Sequence, residues 1–212
     1  MNVARVIDGA TGALWVAMSG VVALVAIVLF FAVGQPFGTI NDLALIVMVL
    51  SLGPVMVAHY ELGGMVPLWP ARLSLAGSLA AAFGWAVLQG AFVLGIVTFD
   101  YDHAATGPFA ISNLLQVVIG LWIGGASLLA GSWLLRTVRL LGIVAGTGTV
   151  LVSIGLLLGG LSHPLASVGG VGYLVVLPVW AYLLGRVFRS RATSAGVAEG
   201  AETATAASSS SP

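Results

Sequence analysis

The chain has 212 residues, 59% of them hydrophobic and only 7% charged, where an ordinary soluble domain carries about 25% charged residues. Seven basic residues balance seven acids, so there is no basic excess to hold nucleic acid, and that class of partner is excluded. Cysteine is absent and every basic residue is Arg, which removes disulfides, thiolate metal sites, thiol nucleophiles, Lys-based covalent catalysis and a retinal Schiff base.

A helix needs about 20 apolar residues to cross a hydrocarbon core of about 30 Å. Six uncharged stretches meet that length, at residues 14–33, 43–60, 73–98, 109–135, 140–161 and 165–185, with every Asp, Glu and Arg outside them. Each is about twice the length of a barrel strand and none alternates, so the expectation is an all-α integral membrane bundle of six transmembrane helices. The first stretch exceeds the 7–15 residues of a signal-peptide core and runs into Phe30 and Phe31, so it reads as a retained span. The transmembrane domain then covers 1–191. The stretch 192–212 is Ala, Ser, Thr and Gly with Glu199 and Glu202; it has too little apolar surface to offset ordering and is expected to be a disordered tail.

With six spans, Arg5, Arg72, Arg136, Arg139, Arg186, Arg189 and Arg191 all fall on the side shared by both termini and the second and fourth loops. By the positive-inside rule that side is the cytoplasm. Trp15, Tyr60, Trp69, Trp133 and Tyr182 sit near the inner ends as interfacial aromatics, whereas Trp85 and Trp122 fall deeper.

The first outer loop contains Pro36-Phe37 followed after three residues by Asn41 and then Asp42; the second contains Pro108-Phe109 followed likewise by Asn113. A degraded copy, Pro164-Leu165 with Gly169, occupies the third. Each leads into the second helix of a pair, which predicts three helical hairpins in parallel repetition. Proline suits a helix start because its missing N–H is unpaired there in any case, and Asn can cap the remaining donors. The repeat therefore reads either as a recurrent helix entry or as a shared ligand surface. The segment Gly34-Gln35-Pro36-Phe37-Gly38-Thr39-Ile40-Asn41-Asp42 resembles an outer loop of small uncharacterised bacterial multi-pass membrane proteins. The resemblance covers under a tenth of the chain, carries no activity with it, and implies a bacterial inner-membrane (cell-membrane) location.

No span contains Asp, Glu, Lys or Arg, the groups that pumps and ion-coupled transporters use to move protons and charge. His59, His103 and His163 form no pair at helical spacing, so no haem or other cofactor is expected. Asp100, Asp102, His103 and His163 in the outer loops are either hydrated loop residues or the donors of a divalent metal site, with Asp42 as a further oxygen. Gln89, Asn113 and Gln116 lie in the outer halves of spans, where an unpaired amide is expensive. They either bond between helices or line an outward polar pocket with Asn41 and Asp42. The serines include no Gly-x-Ser-x-Gly element, and no mid-membrane base accompanies them. Gly120 and Gly124, Gly142 and Gly146, and Gly155 and Gly159 read as close-packing faces, toward neighbouring helices or other membrane subunits, with lipid around the rest. Pro54 and Pro178 are expected to bend their helices.

The function expected is a non-enzymatic accessory or ligand-sensing component. A passive channel or facilitator for a neutral solute is the alternative, and a membrane enzyme using the outer Asp and His residues is a second one.

Overall fold

The computed structural model describes residues 2–63, 69–99 and 106–209. In chain order it contains α1 (Val3–Val33), α2 (Phe37–Leu62), α3 (Trp69–Val93), α4 (Gly107–Leu129), α5 (Arg136–Gly159), a 3-10 turn (Gly160–Ser162), α6 (Pro164–Val171), a π-helical turn (Gly172–Val176) and α7 (Leu177–Ser209). No strand occurs among the described residues. Six helical stretches are long and apolar enough to span a membrane, with α6 and α7 contributing one of them, Pro164–Val197. Val21, Val25, Val28 and Phe31 of α1 are each more than half exposed, as are Leu114, Leu121 and Leu128 of α4. Water would not tolerate such surfaces. Lipid does, and it demands the helices whose backbones satisfy themselves.

The core is built from the opposite faces. Along α1 the buried residues Val6, Ala10, Ala13, Val16, Gly20 and Ala23 recur every three or four positions, one stripe of a helix. Their small size lets α1 sit between α2 and α7. A methyl group on Gly12 would lie 2.8 Å from the Ser51 carbonyl oxygen of α2, and one on Gly20 would strike the Pro178 ring of α7. Both intramembrane prolines thus pack on α1 glycines. Pro54 is accommodated inside a continuous α2. Pro178 follows the π-helical turn, where the Leu177 N–H reaches back to the Gly172 carbonyl; widening the turn removes the clash that a proline ring makes with the preceding turn.

The glycines of α5 use two faces rather than one. Gly142 abuts Ser127 of α4 and Trp180 of α7, and Gly146 abuts the backbone of Gly120 and Gly124 in α4, whereas Gly155 and Gly148 meet the backbone at Ala166 and Gly172 on the other side. Gly159 faces only the neighbouring His163 side chain.

Helix ends depart from the hydropathy boundaries. Charged and amide residues lie inside several helices, with Arg5 and Asp8 in α1, Asn41, Asp42 and Glu61 in α2, and Arg72 in α3, because the helices project beyond their apolar stretches. The third span ends at Val93 rather than residue 98. There Gly95 adopts φ +70, its N–H bonds Phe92 and the Ile96 N–H bonds Ala91, a Schellman closure that only glycine forms without strain. The fourth ends at Leu129, not residue 135: Gly131 and Ser132 are poor helix formers, and the turn is held by Arg139 donating to the Ala130 carbonyl and Arg191 to that of Trp133. At the C-terminus α7 continues to Ser209. Ala192 is buried, and an alanine-rich run propagates easily from an established helix.

Arg5 pairs with Glu61, and a methyl on Gly9 would touch both Ala58 and Phe188. The start of α1, the end of α2 and the later turns of α7 therefore share one end of the bundle, the arginine end. The starts of α2 and α4 and the end of α3 lie at the other.

Candidate functional site

At that other end three helices deliver amide and carboxyl groups. Phe37 and Phe109 open the first turns of α2 and α4, and Asn41 and Asn113 follow four residues later on the same helical faces. Both asparagines are buried one turn inside their helices and cap neither. The cap positions are Pro36 and Thr106, neither making a side-chain cap bond. Helix start and proline do coincide, with Pro108 and Pro164 in the first turns of α4 and α6 and Pro36 just ahead of α2. Asn113 Nδ2 instead donates 2.9 Å to the Phe109 carbonyl in its own helix.

Asp42 is the acid of this end. Its carboxylate is half-buried and accepts from the amides of Asn41 and Gln89, the former over 3.4 Å, so it ties the first turns of α2 to the last turns of α3. Gln89, Asn113 and Gln116 are all buried. The Asn41 Oδ1 acceptor is buried with no partner among the described residues, and the indole N–H of Trp85, one turn before Gln89 in α3, is an unpartnered donor. Phe92, Phe99 and Phe109 join α3 to α4 here, Phe92 and Phe99 stacked at 4.4 Å between centroids and Phe99 and Phe109 at 5.4 Å. The predicted polar residues of α2 and α3 are thus joined by hydrogen bonds; those of α4 are buried at the same end.

The metal reading gains no geometry. Asp100, Asp102 and His103 lie outside the described residues, and among the described residues no three His, Asp or Glu side chains cluster. His163 is the N-cap of α6, its Nδ1 accepting from the Leu165 N–H at 3.3 Å.

A residue given little weight from sequence stands out in the core near the arginine end. His59 is fully buried in the last turns of α2, its ring edge-on to Trp122 at 5.7 Å and to Trp133 at 4.9 Å. Neither ring nitrogen has a hydrogen-bond partner among the described residues, nor does the Trp133 indole N–H. The signal was present in the spacing, since Met48, Leu52, Val55 and His59 form one buried stripe. Elsewhere in the core, Ser127 Oγ and Trp180 Nε1, both also unpartnered among the described residues, converge on Gly142.

Comparison with protein-family models, curated proteins and solved structures finds no match to this chain.

Proposed function

We propose that the chain is a non-enzymatic accessory or ligand-sensing component of a bacterial inner membrane. In this reading it is arranged as three helical hairpins with both termini cytoplasmic, and its Asn41 end faces outward and reads a small neutral or zwitterionic solute. Segregation of the seven arginines supports the orientation. Reporter fusions after Arg72, Arg139 and Arg191 are then expected to score cytoplasmic and fusions at Gly38 and Ser162 external; an external signal at Arg139 would overturn the arrangement.

The observation that carries the ligand reading is the Asp42–Asn41–Gln89 hydrogen-bonded group with the orphaned Asn41 acceptor at its edge. An unpaired buried polar atom costs about 1–3 kcal/mol, and a solute presenting N–H or O–H donors would recover that. One carboxylate among neutral amides favours ammonium-bearing zwitterions or polyols over strongly cationic ligands. Asn113 and Gln116 extend the same polar end into α4. The facilitator alternative requires a polar path through the bundle, but Met48, Leu52, Met56, Ile119, Ile123, Leu177 and Trp180 fill the middle, all under 2% exposed.

The test is thermal stability in detergent against a panel of amino acids, betaines, polyols and tetramethylammonium. Saturation at about 100 times Kd stabilises by about 2.7 kcal/mol. A rise for a zwitterion or polyol that disappears in Gln89→Leu is expected. If no solute shifts the wild-type protein, or if the shift survives in Gln89→Leu, the reading falls and the amides are interhelical glue.

A further inference from the structure

We infer that the groove between α1 and α2 at the arginine end is a binding site for a phospholipid with an ammonium headgroup, phosphatidylethanolamine in chemical class. This does not depend on the polar end being a ligand site.

The two helices leave a lateral cavity of about 690 Å³ between them. Arg5 and Asp8 stand at its mouth; Trp15 of α1 and Val47, Leu50 and Pro54 of α2 line its depth. From Arg5 to Trp15 is ten helical residues along α1, a rise of about 15 Å. That is half of a hydrocarbon core of about 30 Å, one leaflet. The groove therefore has the depth and the lining for one acyl chain, entering from the interface.

The mouth specifies the headgroup. Arg5 and Asp8 lie three residues apart, on one helix face. Arg5 donates one Nη1 hydrogen bond to Glu61, which ties the guanidinium to the end of α2 and leaves other donors of its planar fork for a phosphate. An adjoining cavity of about 350 Å³ is lined by Arg5 with Tyr60, Glu61 and Arg72. Asp8 is exposed, and no ion pair or hydrogen bond engages its carboxylate among the described residues. An anion at the edge of hydrocarbon is costly unless it is paired. An ammonium with three N–H donors answers that need. The trimethylammonium of phosphatidylcholine has no N–H to donate, and phosphatidylglycerol offers Asp8 neutral hydroxyl donors but no cation, so its net negative charge stays uncompensated beside Asp8 and Glu61. Charge complementarity therefore selects phosphate on Arg5 with ammonium on Asp8.

The test uses the full chain, delipidated in detergent and titrated with phosphatidylethanolamine, phosphatidylcholine and phosphatidylglycerol of identical acyl chains, with bound lipid counted by native mass spectrometry. At least fivefold tighter retention of phosphatidylethanolamine than of either other lipid is expected. Asp8→Asn is expected to abolish the preference over phosphatidylcholine, and Arg5→Gln to weaken retention of both. Should Arg5→Gln disturb folding by freeing Glu61, Leu50→Trp, at a half-exposed position on the groove wall, fills the acyl slot and is expected to remove the tight site with the melting temperature kept. Equal retention of all three lipids would reduce the groove to ordinary annular contact and overturn the proposal. So would a preference for phosphatidylglycerol, or an ethanolamine preference that survives Asp8→Asn.

Discussion

Gly155→Leu is expected to lower the melting temperature in detergent by roughly 10 °C, and Gly146→Leu to do the same. A methyl group at Gly155 would overlap the Ala166 backbone nitrogen of α6, and one at Gly146 would overlap the Gly124 nitrogen of α4. Backbone atoms cannot rotate aside as a side chain does, so the helices must separate. Overpacking costs about 1–3 kcal/mol in ordinary cores and more where nothing yields, and 1 kcal/mol corresponds to about 2–4 °C in a chain of this size. Without a hydrophobic force between helices in lipid, lost packing is not recovered elsewhere. Gly125→Leu is the control, since nothing lies within 4 Å of its added carbon. Equal melting temperatures for Gly155→Leu and Gly125→Leu would show that the α5–α6 contact does not hold the bundle together.

His59→Phe is expected to act in the opposite direction, raising the melting temperature by a few degrees. The ring is fully buried against Trp122 and Trp133 with both nitrogens unpartnered. Replacing an unsatisfied polar group by an apolar one of similar shape recovers its desolvation cost, about 1–3 kcal/mol. The aromatic edge contacts survive the exchange. A fall in stability would instead mean that the imidazole bonds a buried water or ligand beside the Trp133 indole N–H, which would make this core site, rather than the Asn41 end, the first place to look for function.

The Pro-Phe-x-x-x-Asn repeat predicted helix entries, and α2 and α4 do begin at those positions. Proximity to proline suggests that the asparagines cap these helices, but the cap positions are Pro36 and Thr106. The four-residue offset from Phe puts Asn41 and Asn113 inside the helix on the phenylalanine face, where they are buried. The stop of α3 at Val93, two residues before Gly95, is legible, since a glycine shortly after an apolar run is a stop signal. Hydropathy passes over that stop because the residues on both sides of Gly95, Leu94 and Ile96, are as apolar as the helix before them.

What the sequence alone determined is everything that depends on the solvent. Six stretches of lipid-crossing length, the absence of membrane-embedded charge and the one-sided arginines follow from transfer free energy, which is local and additive along the chain. Tertiary structure alone decided which small residues meet. Gly12 rests on Ser51 and Pro54, Gly20 on Pro178, Gly146 on Gly120 and Gly124, and Gly155 on Ala166. It also decided that Asp42 reaches Gln89 from another helix and that His59 lies enclosed by tryptophans. In lipid every face of these helices is similarly apolar, so hydrophobicity does not specify which face turns inward; backbone approach at glycine and the pairing of a few polar groups do, and both are contacts between residues far apart in the chain.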